Sequence, residues 1–161
     1  MKHWIFVLAF LVAPLAHADL MVSFIDESRL PYDFSPSNYD NSSSNYDNSV
    51  SNYDNSPSNY DNSESNYDNS SSNYDNGANG DNRLLMKEGS KLYRVGYYVR
   101  ADNGVTNFFS SSGKRIFYNP KKGLGVFHGK KGFFCGVLAR VENEYQLVLT
   151  EVGQKTLLMA Q

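Results

Sequence analysis

Six copies of Ser-x-Ser-Asn-Tyr-Asp-Asn run in unbroken register from Ser35 to Asn76, and few backbone shapes tolerate a polar period of seven. A coiled coil needs apolar residues at two positions per heptad, and only Tyr39, Tyr46, Tyr53, Tyr60, Tyr67 and Tyr74 qualify. An extended strand fails because an odd period sends successive tyrosines to opposite faces. Serine, asparagine and aspartate side chains compete for backbone hydrogen bonds, which disfavours helix interiors and favours turns. Two states remain. The tract is disordered, because it has little apolar surface to offset its ordering entropy, or every copy contains a turn so that equivalent residues stack.

The second position of each copy varies through Pro36, Ser43, Val50, Pro57, Glu64 and Ser71. Its two prolines rule out an essential N–H there, and we expect the position to be exposed. One register earlier, Ser28 to Phe34 keeps the Ser, Tyr and Asp positions of a degenerate copy, and the far end decays into Gly77 to Asn82. Such edges fit the caps of a stacked array. A disordered or extended tract would instead serve as a spacer.

The chain begins with Met1, Lys2 and His3, an apolar run from Trp4 to Leu15, and Ala16-His17-Ala18. That order predicts a signal peptide over 1–18 and export to a periplasm or beyond. The apolar run is shorter than the roughly 20 residues a helix needs to cross a hydrocarbon core, so no membrane span is expected. Asp19 stands where a lipoprotein would carry a cysteine. Cys135 is the only cysteine, which excludes a disulfide framework within the chain and a thiolate metal cluster.

From Arg83 onward the pattern becomes short alternating runs between turn signals, the mark of an antiparallel all-β module. Strands are expected at Lys91 to Arg100, Val105 to Ser110, Lys114 to Asn119, Leu124 to His128, Phe133 to Val141 and Tyr145 to Thr150. A short strand or helix is expected over Lys155 to Met159. These make a small antiparallel meander, barrel-like or sandwich, with Tyr93, Val95, Tyr97 and Val99 facing the core. The domains read as a signal peptide (1–18), an N-terminal segment with the degenerate copy (19–34), the repeats (35–76), a linker (77–82) and a basic β-domain (83–161).

Charge divides along the same lines. The repeats have no lysine or arginine and a net charge of −7, whereas Arg83 to Gln161 carries 13 basic and 5 acidic residues. Strand direction in a meander gathers Lys91, Lys114, Arg115, Lys130 and Lys131 at one end and Arg100, Lys121 and Lys122 at the other. The first group could hold an anionic polysaccharide or another envelope polyanion. The tethered acidic tract is a second candidate for the same surface; if it masks the lysines, deleting Ser35 to Asn76 strengthens binding to anionic polymers.

The tyrosines Tyr39, Tyr46, Tyr53, Tyr60, Tyr67 and Tyr74 are candidate self-association groups, since spaced aromatics in a Ser/Asn background resemble self-associating low-complexity sequences. Cys135 and His128 are the one pair resembling a nucleophile and base. Alternation places Cys135 beside Phe133 and Val137, predicting a buried thiol. No phosphate loop, nucleophile elbow or metal-spaced histidine set is present, so no cofactor or metal is expected.

The heptads, with Leu30-Pro31-Tyr32-Asp33 before them, resemble the repeat region of uncharacterised secreted bacterial proteins carrying SNYDN heptads. The stretches Val95-Gly96-Tyr97-Tyr98-Val99, Asn107-Phe108-Phe109 and Phe134-Cys135-Gly136-Val137-Leu138 are similar to the domain that follows those repeats. The resemblance implies architecture and export, and no site residue. The resulting expectation is a non-enzymatic exported binding or adhesive protein, whose β-domain takes an anionic partner while the repeats space it. A self-assembling structural protein is the alternative, and a small hydrolase comes third.

Overall fold

The computed structural model describes residues 18–161, so the expected signal segment lies outside the described residues except for Ala18. Eight strands close into a barrel in sequence order. They are β1 (Leu20–Phe24), β2 (Arg83–Glu88), β3 (Lys91–Arg100), β4 (Thr106–Phe109), β5 (Arg115–Asn119), β6 (Gly125–His128), β7 (Phe134–Val141) and β8 (Glu144–Leu149). From β2 to β8 every neighbour is antiparallel. β1 runs parallel to both β2 and β8 and closes the wall between them. The expected purely antiparallel meander beginning at Arg83 is corrected on this point: the segment before the repeats supplies a barrel strand, because without it β2 and β8 would each present an unpaired edge.

The helix α1 (Glu151–Met159) follows β8 directly. The Thr150 hydroxyl caps its first turn by accepting from Gly153 N–H, and it donates to the Cys135 carbonyl at 3.0 Å. Gly153 is required by closeness, since a Cβ there would stand 2.1 Å from the Cys135 oxygen. Leu157 and Ala160 thereby reach the barrel interior and plug one end.

Simple alternation breaks at bulges. Opposite the Leu84/Leu85 step of β2, Val95 is an extra residue in β3. The interior consequently holds Val95 and Tyr98, while Tyr97 points outward. Tyr93 is 43% exposed, which corrects the expectation that Tyr93, Val95, Tyr97 and Val99 share one core face. Cys135 is the equivalent extra residue in β7, so it lies inside with Leu138, whereas Phe134 and Val137 pack on the outer face. In both bulges a glycine follows, Gly96 or Gly136, because a Cβ would lie about 2 Å from the carbonyl of Phe109 or Val148.

The repeats are an ordered coil of turns. Within each copy the first Ser carbonyl accepts from the fourth-residue Asn N–H, as in Asn38 to Ser35 at 3.1 Å, and that Asn carbonyl accepts from the seventh-residue N–H, as in Asn41 to Asn38 at 3.0 Å. Side chains complete both turns. Ser35 Oγ accepts from Ser37 N–H and Asn38 Oδ1 accepts from Asp40 N–H, and the pattern recurs in every copy. No bond uses the second residue's N–H among the described residues, which explains why Pro36 and Pro57 fit.

Neighbouring copies are stitched by the seventh-position asparagine. Asn62 Nδ2 donates to Asp54 O at 2.6 Å and to Ser56 O at 3.0 Å, and Asn41, Asn48, Asn55, Asn69 and Asn76 repeat the arrangement. All six are buried. In four of the six the backbone carbonyl is received by a side chain of the barrel's outer wall. Tyr118 Oη donates to Asn48 O, Arg115 Nη2 to Asn55 O, Tyr97 Oη to Asn69 O and Arg94 Nη2 to Asn76 O, at 2.6–2.9 Å. The coil therefore crosses the strands from β5 to β3 without extending from the barrel.

The degenerate first copy is structurally a copy, with its turn at Tyr32–Phe34. Phe34 takes the inward position and packs with Tyr118, Phe127, Phe134 and Val137, so an apolar wall receives an apolar residue. At the other end Gly80 N–H returns to Gly77 O, repeating the first turn once more before β2. Because coil outside and core inside cover both faces, every residue of β4 and β5 is buried.

Replacing Asn62 by alanine removes both stitching bonds and the Oδ1 that accepts from Asn107 Nδ2. We expect a loss on the order of 3 kcal/mol in unfolding free energy. Ser58→Ala, at an exposed third position, should stay within about 0.5 kcal/mol in the same denaturant titrations.

Candidate functional surfaces

Two surfaces carry concentrated chemistry. The first is the outer ridge of the coil. Because each turn sends the seventh residue inward, the fifth is sent outward: Tyr32, Tyr39, Tyr46, Tyr53, Tyr60, Tyr67 and Tyr74 are 61–74% exposed. Beside them lie Asp40, Asp47, Asp54, Asp61, Asp68 and Asp75. Their carboxylates form no ion pair among the described residues. The third-position serines are exposed on the same ridge. The phenols make no ring pair with one another among the described residues.

The second position drifts through Pro, Ser, Val and Glu, whereas Ser, Tyr and Asp of the ridge do not change in six copies. The turns account for the buried asparagines and the first serine. A carboxylate in the first turn of so short a helix contributes only a few tenths of a kcal/mol. Nothing in the coil's internal bonding accounts for the tyrosine rings.

The second surface is the barrel end closed by α1. Lys114 precedes β5 and Lys130-Lys131 form the β6–β7 turn. His128 gathers them: its Nδ1 accepts from the N–H groups of Lys130 and Lys131 at 3.1 Å, and its ring rests on Phe133. Partial burial, then the charges of Lys131, Lys114 and Lys130, hold the imidazole below its ordinary pKa. Lys91 stands across from Glu88 at the tip of the β2–β3 hairpin. Arg100, Lys121 and Lys122 fall at the opposite end, as strand direction predicts.

Arg115 departs from its expected role. It is 3% exposed and spends its guanidinium on Asn107 Oδ1, Gly129 O and Asn55 O, over the ring of Tyr118. Burial lowers its pKa to about 10. It is a docking pin for the coil, and a ligand anion cannot reach its donors without displacing the repeats. Its backbone N–H donates to Glu64 Oε1 at 2.8 Å, at the edge of a cleft of about 180 Å³ that Pro57 and Lys130 also line. The polar contact between acidic coil and basic barrel is therefore made by coil carbonyls, the Asn62 side chain and one glutamate, and of the lysines Lys130 lines its edge. Deleting Ser35 to Asn76 would uncover Tyr97, Phe109, Tyr118 and Phe127, so that deletion does not isolate masking.

Tyr97, Tyr118, Arg94, Asn103 and Asn107 are interface residues that the sequence reading missed. Asn103 Nδ2 donates to Asp54 O, and Asn107 Nδ2 to Asn62 Oδ1. For Asn107 and Tyr118 the one signal is a polar group in a strand that is otherwise apolar, and Arg94, Tyr97 and the turn residue Asn103 carry no such mark.

No family profile, curated protein or solved structure matches the chain. The likeness to SNYDN-repeat proteins rests on the quoted residues alone. No group of His, Cys, Asp and Glu suited to a metal occurs among the described residues.

Cys135 is fully buried in the interior, and burial pushes its thiol up to about 12. Its folded pKa lies above the unfolded one, so the stabilisation it contributes is complete below a pH of about 9 and is lost as pH rises through 12. We expect a thiol reagent to label native protein at a slow rate that stays flat between about pH 7 and 9, and to label denatured protein rapidly. Fast native labelling that rises with pH would restore Cys135 as a nucleophile.

Proposed function

We propose that this is an exported, non-enzymatic binding or adhesive protein of the cell envelope or surrounding matrix, and that its recognition surface is the tyrosine–aspartate ridge of the coil. The barrel is the scaffold that holds the ridge in place. The observation that carries this reading is the retention of an exposed phenol in all six heptads, where nothing in the coil's internal bonding requires the ring. A row of equivalent groups on a hydrogen-bonded backbone is preorganised for an elongated partner, and weak contacts repeated along it sum to useful affinity. Export is supported by the leader-like start of the chain, and Asp19, the first residue after the expected cut, is held by Arg83 at 2.6 Å.

Mature protein should be retained on polysaccharide-rich envelope or matrix fractions. Combining Tyr46→Ala, Tyr53→Ala and Tyr60→Ala should weaken retention about tenfold or more, while thermal unfolding shifts little. Retention equal to wild type would remove the ridge as the binding surface.

A second reading is favoured by the gathering of Lys114, Lys130 and Lys131 around His128. These lysines take an anionic polymer, on a face separate from the ridge. Binding to a polyuronate should fall steeply with added salt and should be lost on Lys130→Glu with Lys131→Glu. Salt-independent binding would exclude it.

A further inference from the structure

Resting on the ridge as the recognition surface, we propose that its ligand is a linear amino-sugar polymer carrying protonated amines, of the polyglucosamine class. The argument is charge complementarity joined to shape. The repeats contain seven acidic residues and no lysine or arginine. The cations beneath them, Arg94 and Arg115, are turned into the barrel interface and donate to coil carbonyls. The outer face is therefore negative along its whole length, which repels anionic polymers and selects cationic ones.

Each copy offers one exposed phenol ring with a carboxylate beside it, exposed in five copies and half-buried at Asp61. An ammonium group is attracted to both, to the carboxylate by charge and to the ring face by its quadrupole. The third-position serines, Ser37 through Ser72, add hydroxyls that exchange hydrogen bonds with sugar hydroxyls. A pyranose presents a C–H face that lies flat on an aromatic ring, which a lysine stem does less completely. The periodicity selects a polymer. Adjacent copies are in direct hydrogen-bond contact through the buried asparagines, so phenol and carboxylate recur once per turn on a fixed backbone. A stiff chain of identical sugars loses less freedom on such a row than a flexible basic peptide does.

The test uses the mature full-length protein and isothermal titration at about pH 5.5, below the ordinary pKa of an amine, so that the sugar amines are protonated. Glucosamine hexamer should bind at least about tenfold more tightly than its fully N-acetylated counterpart, and tenfold is 1.4 kcal/mol. Asp47→Asn, Asp54→Asn and Asp61→Asn together should erase that difference. These side chains make no bond in the coil, so the fold is expected to persist, and circular dichroism checks it. Added salt should weaken the hexamer and leave the acetylated form unchanged.

Equal affinity for the two hexamers overturns the ammonium requirement and leaves the ridge standing as a sugar surface. Equal affinity for a lysine hexamer overturns the amino-sugar assignment in favour of charge alone. If neither sugar binds while the Tyr46, Tyr53 and Tyr60 variant still loses retention on matrix fractions, the ligand class is wrong and the ridge is right. If that variant is retained as well as wild type, both fall.

Discussion

The seventh-position asparagine has two jobs that belong to different parts of the residue, and the architecture depends on keeping them apart. Its side-chain amide bridges two successive turns of the coil, which makes a stack out of units too polar to bury an apolar core. In four of the six copies its backbone carbonyl is received by Tyr118, Arg115, Tyr97 or Arg94 on the barrel wall. A tract of this composition lacks the hydrophobic burial that orders ordinary chains. Here buried amides and the barrel wall supply the difference, each bond contributing about 1 kcal/mol.

That wall explains the unusual strands. A barrel facing water would alternate apolar and polar residues, but β4 and β5 are covered on both sides, and their outer positions hold Asn107, Arg115 and Tyr118. A buried arginine is costly unless its donors are met, and three neutral acceptors with an aromatic face meet those of Arg115. The same covering ties the copies to particular strands. Asn48 and Asn55 dock on β5, Asn62 on β4, and Asn69 and Asn76 on β3, so gain or loss of a heptad shifts every later copy off its partner.

Much of this was legible from sequence, and unevenly so. The limits of β3 and the I′-like turn at Glu142-Asn143, both with positive φ, follow from alternation and turn chemistry. The requirement for a turn in every heptad follows from an odd polar period. Facing was misread where Val95 and Cys135 enter as bulge residues, because a single inserted residue reverses inside and outside and leaves no mark beyond the following glycine. β1 was missed because five residues next to a leader-like segment give no hint that their partners lie past the repeats. Arg115 looked like a surface cation because nothing local shows that the coil would cover it.

The placement of β1 also orders events in time. Met21 pairs with Leu85 on one side and Gln146 on the other, so the first strand of the barrel gains its second neighbour only after nearly the whole chain exists. Until β8 is available the wall stays open, and Leu20 and Val22 have no interior to enter. Contacts this distant in sequence slow folding. A polypeptide built so would close its barrel late, which is compatible with the export proposed above, since a pore admits only a chain that has not yet settled.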